Sequence, residues 1–335
     1  MRIRHGGGEK AKIDFSVSLN PLGIPDEVKR AVANADFEQY PDIECAELIN
    51  AISGYEKIDA KQIVCGNGAA DLIYRIVGVV KPKTALIVEP TFAEYEKALS
   101  EYDCAVEKHF LAECEGFALK SDFPDKININ TDIVFLCNPN NPTGTITALT
   151  DDIARKCAQT DTLLVVDECF MDFVENAESY AAKQFMNKYT IIVKAFTKSY
   201  SMAGLRLGYA IFGDEELAET VSGYGQPWSV SSAAQAAGIA ALEMSGYLER
   251  ARELISRERE YLSNELTNMG IYVFPSKTNF LLLKSDYPLK EMLMKKQIAV
   301  RSCDNFEGLG KEFFRIAVRT HEENTKLINA LKELI

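Results

Sequence analysis

From about residue 60 the chain alternates short apolar runs with longer stretches in which apolar residues recur at helical spacing. The runs are Ile63–Cys65, Ala85–Val88, Ile133–Leu136, Leu163–Val166, Ile191–Val193 and Tyr209–Phe212, each rich in β-branched residues and bounded by polar residues, Gly or Pro. Continuous apolar runs of this length predict strands buried on both faces. Strands alternating with helices predict βαβ units and a mostly parallel sheet with helices on both sides. After about residue 235 the pattern changes. A long charged helix is expected over 246–268, then strands over 271–274 and 280–283. A helix over 289–296, strands over 298–301 and 313–318, and a last helix from Glu322 follow. The expected organisation is an N-terminal arm (1–25), a large α/β domain (26–235) and a smaller α+β C-terminal domain (236–335).

Composition narrows the class of protein. Apolar residues make up 47% of the 335 and charged residues 26%, which suits a soluble globular chain with more than one core. No stretch reaches the ~18 uninterrupted apolar residues of a membrane helix. Residues 1–5 lack the apolar core of a secretory signal, so a cytoplasmic protein is expected. A net charge of −12 argues against nucleic-acid partners but allows a local Arg cluster to hold an anion. Eight Cys without a CxxC pair read as reduced thiols, and three widely separated His give no basis for a metal site.

Four motifs carry candidate chemistry. Cys65-Gly66-Asn67-Gly68-Ala69-Ala70-Asp71 follows a strand and opens an apolar helix, whose first amides suit an anion; alone it reads more readily as an ordinary strand-to-helix turn. Asn138-Pro139-Asn140-Asn141-Pro142-Thr143-Gly144 is a stiff loop with side-chain amides at set places. Asp167 stands in Val165-Val166-Asp167-Glu168, at the strand end where parallel sheets bind ligands, although a helix cap is the alternative. Finally, Phe196-Thr197-Lys198 follows a buried strand and Arg206 comes eight residues later. Buried Lys is a nucleophilic amine, and Arg is a fork for phosphate.

In this order the motifs resemble the fold-type-I pyridoxal-phosphate enzymes of the class I/II aminotransferase family, over essentially the whole chain. The resemblance implies an aspartate-aminotransferase-like fold and pyridoxal 5'-phosphate as cofactor. It implies that Lys198 carries the cofactor as a Schiff base and moves the proton, with Asp167 at the pyridine nitrogen. Asn141 would meet the ring 3-oxygen, and Phe92, in Pro90-Thr91-Phe92-Ala93-Glu94-Tyr95, would stack on the ring. The cofactor phosphate would lie on Gly68, Ala69 and Ala70 with Thr197 and Arg206. Tyr40, in Tyr40-Pro41-Asp42, would reach the phosphate of a neighbouring subunit, which implies a homodimer with shared sites.

Within the family two groups compete, threonine-phosphate decarboxylases of the cobalamin pathway and histidinol-phosphate aminotransferases. His5-Gly6-Gly7, Asn20-Pro21-Leu22-Gly23, Asp167-Glu168-Cys169-Phe170, Pro227-Trp228-Ser229-Val230 and Ile298-Ala299-Val300-Arg301-Ser302-Cys303 resemble the decarboxylases. Leu22 and Phe170 stand where the aminotransferases have Tyr. Gly8 and Ser18 depart from the decarboxylase pattern, which has Asn at both. The implied substrate is a small phosphorylated amino acid, L-threonine O-3-phosphate, or serine phosphate as a related choice. Its anionic groups would be met by His5, Gly6, Ser18, Asn141, Arg301 and Arg315. A cofactor-binding homologue without catalysis is the reading from another class, and the presence of both Lys198 and Asp167 argues against it.

Overall fold

The computed structural model describes residues 6–8 and 10–335. Its strands are β1 (Ile13–Asp14), β2 (Ile63–Gly66), β3 (Thr84–Glu89), β4 (Ala105–Phe110), β5 (Ile133–Cys137), β6 (Leu163–Asp167) and β7 (Thr190–Ala195). They continue with β8 (Gly208–Phe212), β9 (Tyr272–Val273), β10 (Phe280–Lys284), β11 (Ile298–Ala299), β12 (Arg301–Ser302) and β13 (Phe313–Ala317). All six apolar runs are strands of one seven-stranded sheet of order β2-β8-β7-β6-β5-β3-β4. Strands β4, β3, β5, β6 and β7 are mutually parallel, and β8 runs antiparallel to both of its neighbours.

Two apolar cores explain why these runs do not alternate with polar residues. Leu86, Val88, Val134, Leu136, Leu164 and Val166 face one helical layer. Their chain neighbours Ala85, Ile87, Ile133, Phe135 and Val165 face the other. A strand covered on both sides has no solvent face on which a polar residue is preferred. The exception is β4 at the sheet edge. Its sequence Ala105-Val106-Glu107-Lys108-His109-Phe110 is largely exposed or half-buried, so its pattern is polar and sequence reasoning passed over it.

The C-terminal part forms a small antiparallel sheet, β12-β13-β10-β9, with its own core. The helix Tyr247–Asn268 buries Leu248, Ala251, Ile255, Leu262 and Leu266, one stripe at helical spacing. Residue 235 falls inside the helix Ser232–Leu242, which packs on the helices Asp26–Ala33 and Ala46–Glu56. The single strand expected over 298–301 is two strands. Ile298–Ala299 pairs in parallel with β1 of the arm, and Arg301–Ser302 pairs with β13, the chain changing partners at the buried Val300. Phe15 of the arm is fully buried, donates its amide to Ala299 O (2.8 Å) and accepts from Ala317 N (2.8 Å). The arm is thus built into the small sheet's surroundings rather than laid loosely over them. Among the described residues no helix is long and apolar enough to cross a membrane.

Candidate active site

Because β5, β6 and β7 are parallel, their carboxyl ends meet at one edge of the sheet, the usual place for a ligand. Strand β7 ends at Ala195, and the short helix Phe196–Ser199 carries Lys198 into a cavity of about 390 Å³. The side chain is half-buried and faces this cavity. Burial, followed by the positive charge of Arg315, lowers its pKa to about 8. The arm holds the lysine turn in place. Asn20 donates its amide to Lys198 O (3.1 Å) and its side-chain NH2 to Ser199 O (2.8 Å), while Ser201 Oγ donates to Asn20 O (2.8 Å).

Asp167 ends β6 and is buried. Its Oδ1 accepts from Cys169 N (3.0 Å) and its Oδ2 from the Tyr95 hydroxyl (2.6 Å). Two neighbouring loops are joined by Asn140. It donates to Pro90 O (2.9 Å) and Thr143 Oγ1 (3.0 Å) and accepts from Thr91 Oγ1 (3.1 Å). That junction fixes Phe92 and Asn141 as walls of the same cavity.

An anion cradle lies beside them. The helix Ala69–Val80 starts at Gly68, whose φ of 85° is left-handed. A Cβ there would come within 2.5 Å of Arg206 Nη2, so glycine lets the guanidinium lie against the helix start. The Gly68 amide is used by the turn, donating to Gly66 O (2.7 Å). Ala69, Ala70, Thr197 and Arg206 all line the cavity, and the first amides of a helix have no intrahelical acceptor.

The far wall comes from the small sheet. Arg301 and Arg315 are directly opposed across β12 and β13, and both reach the cavity. Arg315 is buried, donates through Nη1 to Asn141 Oδ1 and through Nη2 to Ser16 O (3.0 Å), and leaves Nε without a partner. Burial, and then the nearby charge of Arg301, lowers its pKa to about 10. Arg301 donates to Asn305 Oδ1 (2.6 Å), with its guanidinium carbon 5.5 Å from the centre of the Phe306 ring. Opposed cations in a partly dry cavity favour an anion between them.

The chain matches the aminotransferase class I and II family over residues 10–331. It belongs to that family. It is 33% identical to the threonine-phosphate decarboxylase of Salmonella typhimurium, over 96% of this chain and 91% of that protein. Its fold is similar to the histidinol-phosphate aminotransferase of Clostridium acetobutylicum, with TM-score 0.87, 30% identity, and 96% and 98% of the two chains covered. The L-threonine-O-3-phosphate decarboxylase of Porphyromonas gingivalis superposes with TM-score 0.82 and 26% identity, covering 96% of this chain and 98% of that one. These are aspartate-aminotransferase-like folds, and the family is one of fold-type-I pyridoxal-phosphate enzymes.

Of the residues that the family resemblance singled out, the cavity brings together Gly6, Ala69, Ala70, Phe92, Asn141, Asp167, Thr197, Lys198, Arg206, Arg301 and Arg315. Gly68 lies just outside, under Arg206. Ser18 is not a cavity wall: it is fully buried with its hydroxyl unpaired, and Ser16 and Val17 line the cavity instead. Tyr40 is also outside, 80% exposed, with its ring stacked on Trp228 at 4.5 Å. His5 lies outside the described residues. Sequence reasoning missed Ser16, Val17, Glu94, Cys137 and Ala195 as cavity residues. Cys137 and Ala195 end strands, so the strand-end rule that found Asp167 was the available signal. The Ser16 and Val17 contribution depends on how the arm folds back, which no local pattern announces.

Proposed function

We propose that this protein is a pyridoxal-phosphate-dependent carboxy-lyase that converts L-threonine O-3-phosphate to (R)-1-aminopropan-2-yl phosphate, the reaction of the cobalamin-pathway decarboxylases it resembles. The observation that carries the reading is the opposed pair Arg301 and Arg315 facing the Lys198 cavity. Two cations suit a substrate with two anionic groups. Threonine phosphate has a carboxylate and a phosphate, whereas histidinol phosphate has the phosphate alone.

The residues fit the cofactor. A reactive amine, a buried carboxylate on the next strand, an aromatic wall and an Arg-backed helix start surround one space. Bound pyridoxal phosphate supplies an electron sink for the pair released at the substrate α-carbon. Asp167 would hold a proton at the ring nitrogen. Phe92 would cover one face of the ring, and Asn141 would donate to its 3-oxygen. Arg206, Thr197 and the amides of Ala69 and Ala70 would hold the cofactor phosphate. With its pKa lowered to about 8, Lys198 Nζ is partly a free base near neutral pH and mostly so above pH 8.

Reaction choice then belongs to the groups that orient the substrate. Which bond at the substrate Cα gives up its electrons to the sink would be set by how these groups turn the substrate. Arg315, Arg301 and Gly6, with His5 of the arm, would anchor the substrate anions so that the carboxylate stands out of plane. Cleavage of the Cα–carboxylate bond would release carbon dioxide, and Lys198 Nζ would return a proton to Cα. The likeness to the Clostridium aminotransferase favours amino transfer as the second reading. Incubating the holoenzyme with threonine phosphate, with and without 2-oxoglutarate, separates the two. Release of carbon dioxide independent of the oxoacid is expected. Amino transfer from histidinol phosphate without carbon dioxide from threonine phosphate would overturn the assignment. The reading includes a cytoplasmic location and a homodimer, the homodimer supported by the exposed Tyr40 and Trp228.

A further inference from the structure

Tyr95 is a fully buried tyrosine that is not a wall of the Lys198 cavity. Its surroundings are nevertheless those of the site. The ring stacks on Phe135 of β5, with centroids 5.0 Å apart and planes 15° apart. It meets Phe92 edge-on at 5.6 Å and 82°. Its hydroxyl donates to Asp167 Oδ2 at 2.6 Å, while Asp167 Oδ1 is occupied by the Cys169 amide. Both carboxylate oxygens are therefore fixed, and one side chain ties the ring-facing aromatic to the ring-facing carboxylate.

We propose that the Tyr95 hydroxyl is a positioning residue for the cofactor ring, aiming Asp167 at the pyridine nitrogen and setting Phe92 against the ring face. This rests on the pyridoxal-phosphate reading above. Donation by a hydroxyl leaves the carboxylate free to accept a second hydrogen bond at the same oxygen, from a protonated ring nitrogen. Burial, and then the nearby Asp167 and Cys137, push the phenol well above its ordinary range, so Tyr95 remains a donor wherever the protein is folded. Phe135 keeps the tyrosine ring from rotating away, since stacked buried rings have few alternative rotamers.

Tyr95→Phe removes one oxygen and keeps both ring contacts. With pyridoxal phosphate as the probe, cofactor release from the variant should be roughly tenfold faster or more, the loss associated with a hydrogen bond to a charged group. The pH midpoint of the bound cofactor's visible absorbance should also rise by about half a unit or more. A ring nitrogen less firmly protonated draws less electron density from the Lys198 nitrogen. Lower thermal stability with both readouts unchanged would overturn the proposal, since a merely structural tyrosine predicts that outcome. Failure of the wild-type protein to take up pyridoxal phosphate at all would instead remove the cofactor reading on which the proposal stands.

Discussion

Lys198 and Glu168 are shifted in opposite directions by the same cause. Burial disfavours the charged form of each, lowering the lysine to about 8 and raising the glutamate to about 7. For Lys198 the result is reactivity. The rate at which apoprotein captures pyridoxal phosphate should climb with pH and level off above about pH 8, because only the neutral amine attacks. Stopped-flow absorbance over that range checks it, and a midpoint near that of an ordinary lysine would refute it. Lys198→Ala should abolish both turnover and the visible band; borohydride labelling of another lysine would show the wrong amine had been chosen. For Glu168 the result is a stability cost. Its folded pKa lies above the ordinary carboxylate value, so its favourable contribution is complete at acid pH and is lost as pH rises through about 7. Its Oε1 accepts from Ala182 N (2.6 Å), a bond that an amide oxygen also makes. Glu168→Gln should therefore raise stability by ~2 kcal/mol near pH 8 and change little near pH 5. Thermal unfolding at the two pH values checks this, and an equal effect at both would contradict it. Glu56 has the opposite sign. Lys194 and Lys183 hold it down to about 2 despite burial, so its contribution survives until strongly acid pH.

Among elements, the pairing of β12 with β13 is what makes two separated arginines one binding wall. Losing a charge-assisted hydrogen bond of roughly 1.5–3 kcal/mol in the transition state costs about 10–150-fold in rate. Arg301→Ala and Arg315→Ala should each lower kcat/KM by that order with the cofactor absorbance retained. Unphosphorylated threonine should be a very poor substrate, since it brings one anionic group to a wall that carries two cations. Normal turnover of threonine by the wild type would refute this. Much of this arrangement was legible in the chain, for a physical reason. Strands covered on both faces write continuous apolar runs, and the cavity walls Asp167, Asn141 and Lys198 follow their carboxyl ends. Residues placed by tertiary packing left fainter traces. The edge strand β4 reads as polar because water covers it. The switch of pairing at Val300 depends on the arm arriving as β1, 285 positions away in register. Ser18 was expected at the substrate by resemblance, but the arm's path buries its hydroxyl and offers Ser16 and Val17 instead.

At the scale of the whole molecule, the residues outside the cavity are as informative as those within it. Phe37, Tyr40, Ile43 and Trp228 are 68%, 80%, 52% and 45% exposed, large apolar side chains left at the surface. Tyr40 stacks on Trp228 and does not reach the cavity of its own chain. An exposed phenol held in one orientation by a neighbouring ring suits a contact made to a second copy, and a two-fold dimer would exchange such a contact in both directions. Each site would then use Lys198 from one subunit and Tyr40 from the other. Complementation follows from that geometry. Tyr40→Ala chains keep Lys198, and Lys198→Ala chains keep Tyr40. A hybrid dimer therefore contains one intact site and one site lacking both groups. Equal co-expression makes about half of the dimers hybrid, so about a quarter of wild-type activity should return from two parents that are each strongly impaired. Fully active monomers in sedimentation, or co-expressed chains no more active than their parents, would show that the sites are not shared.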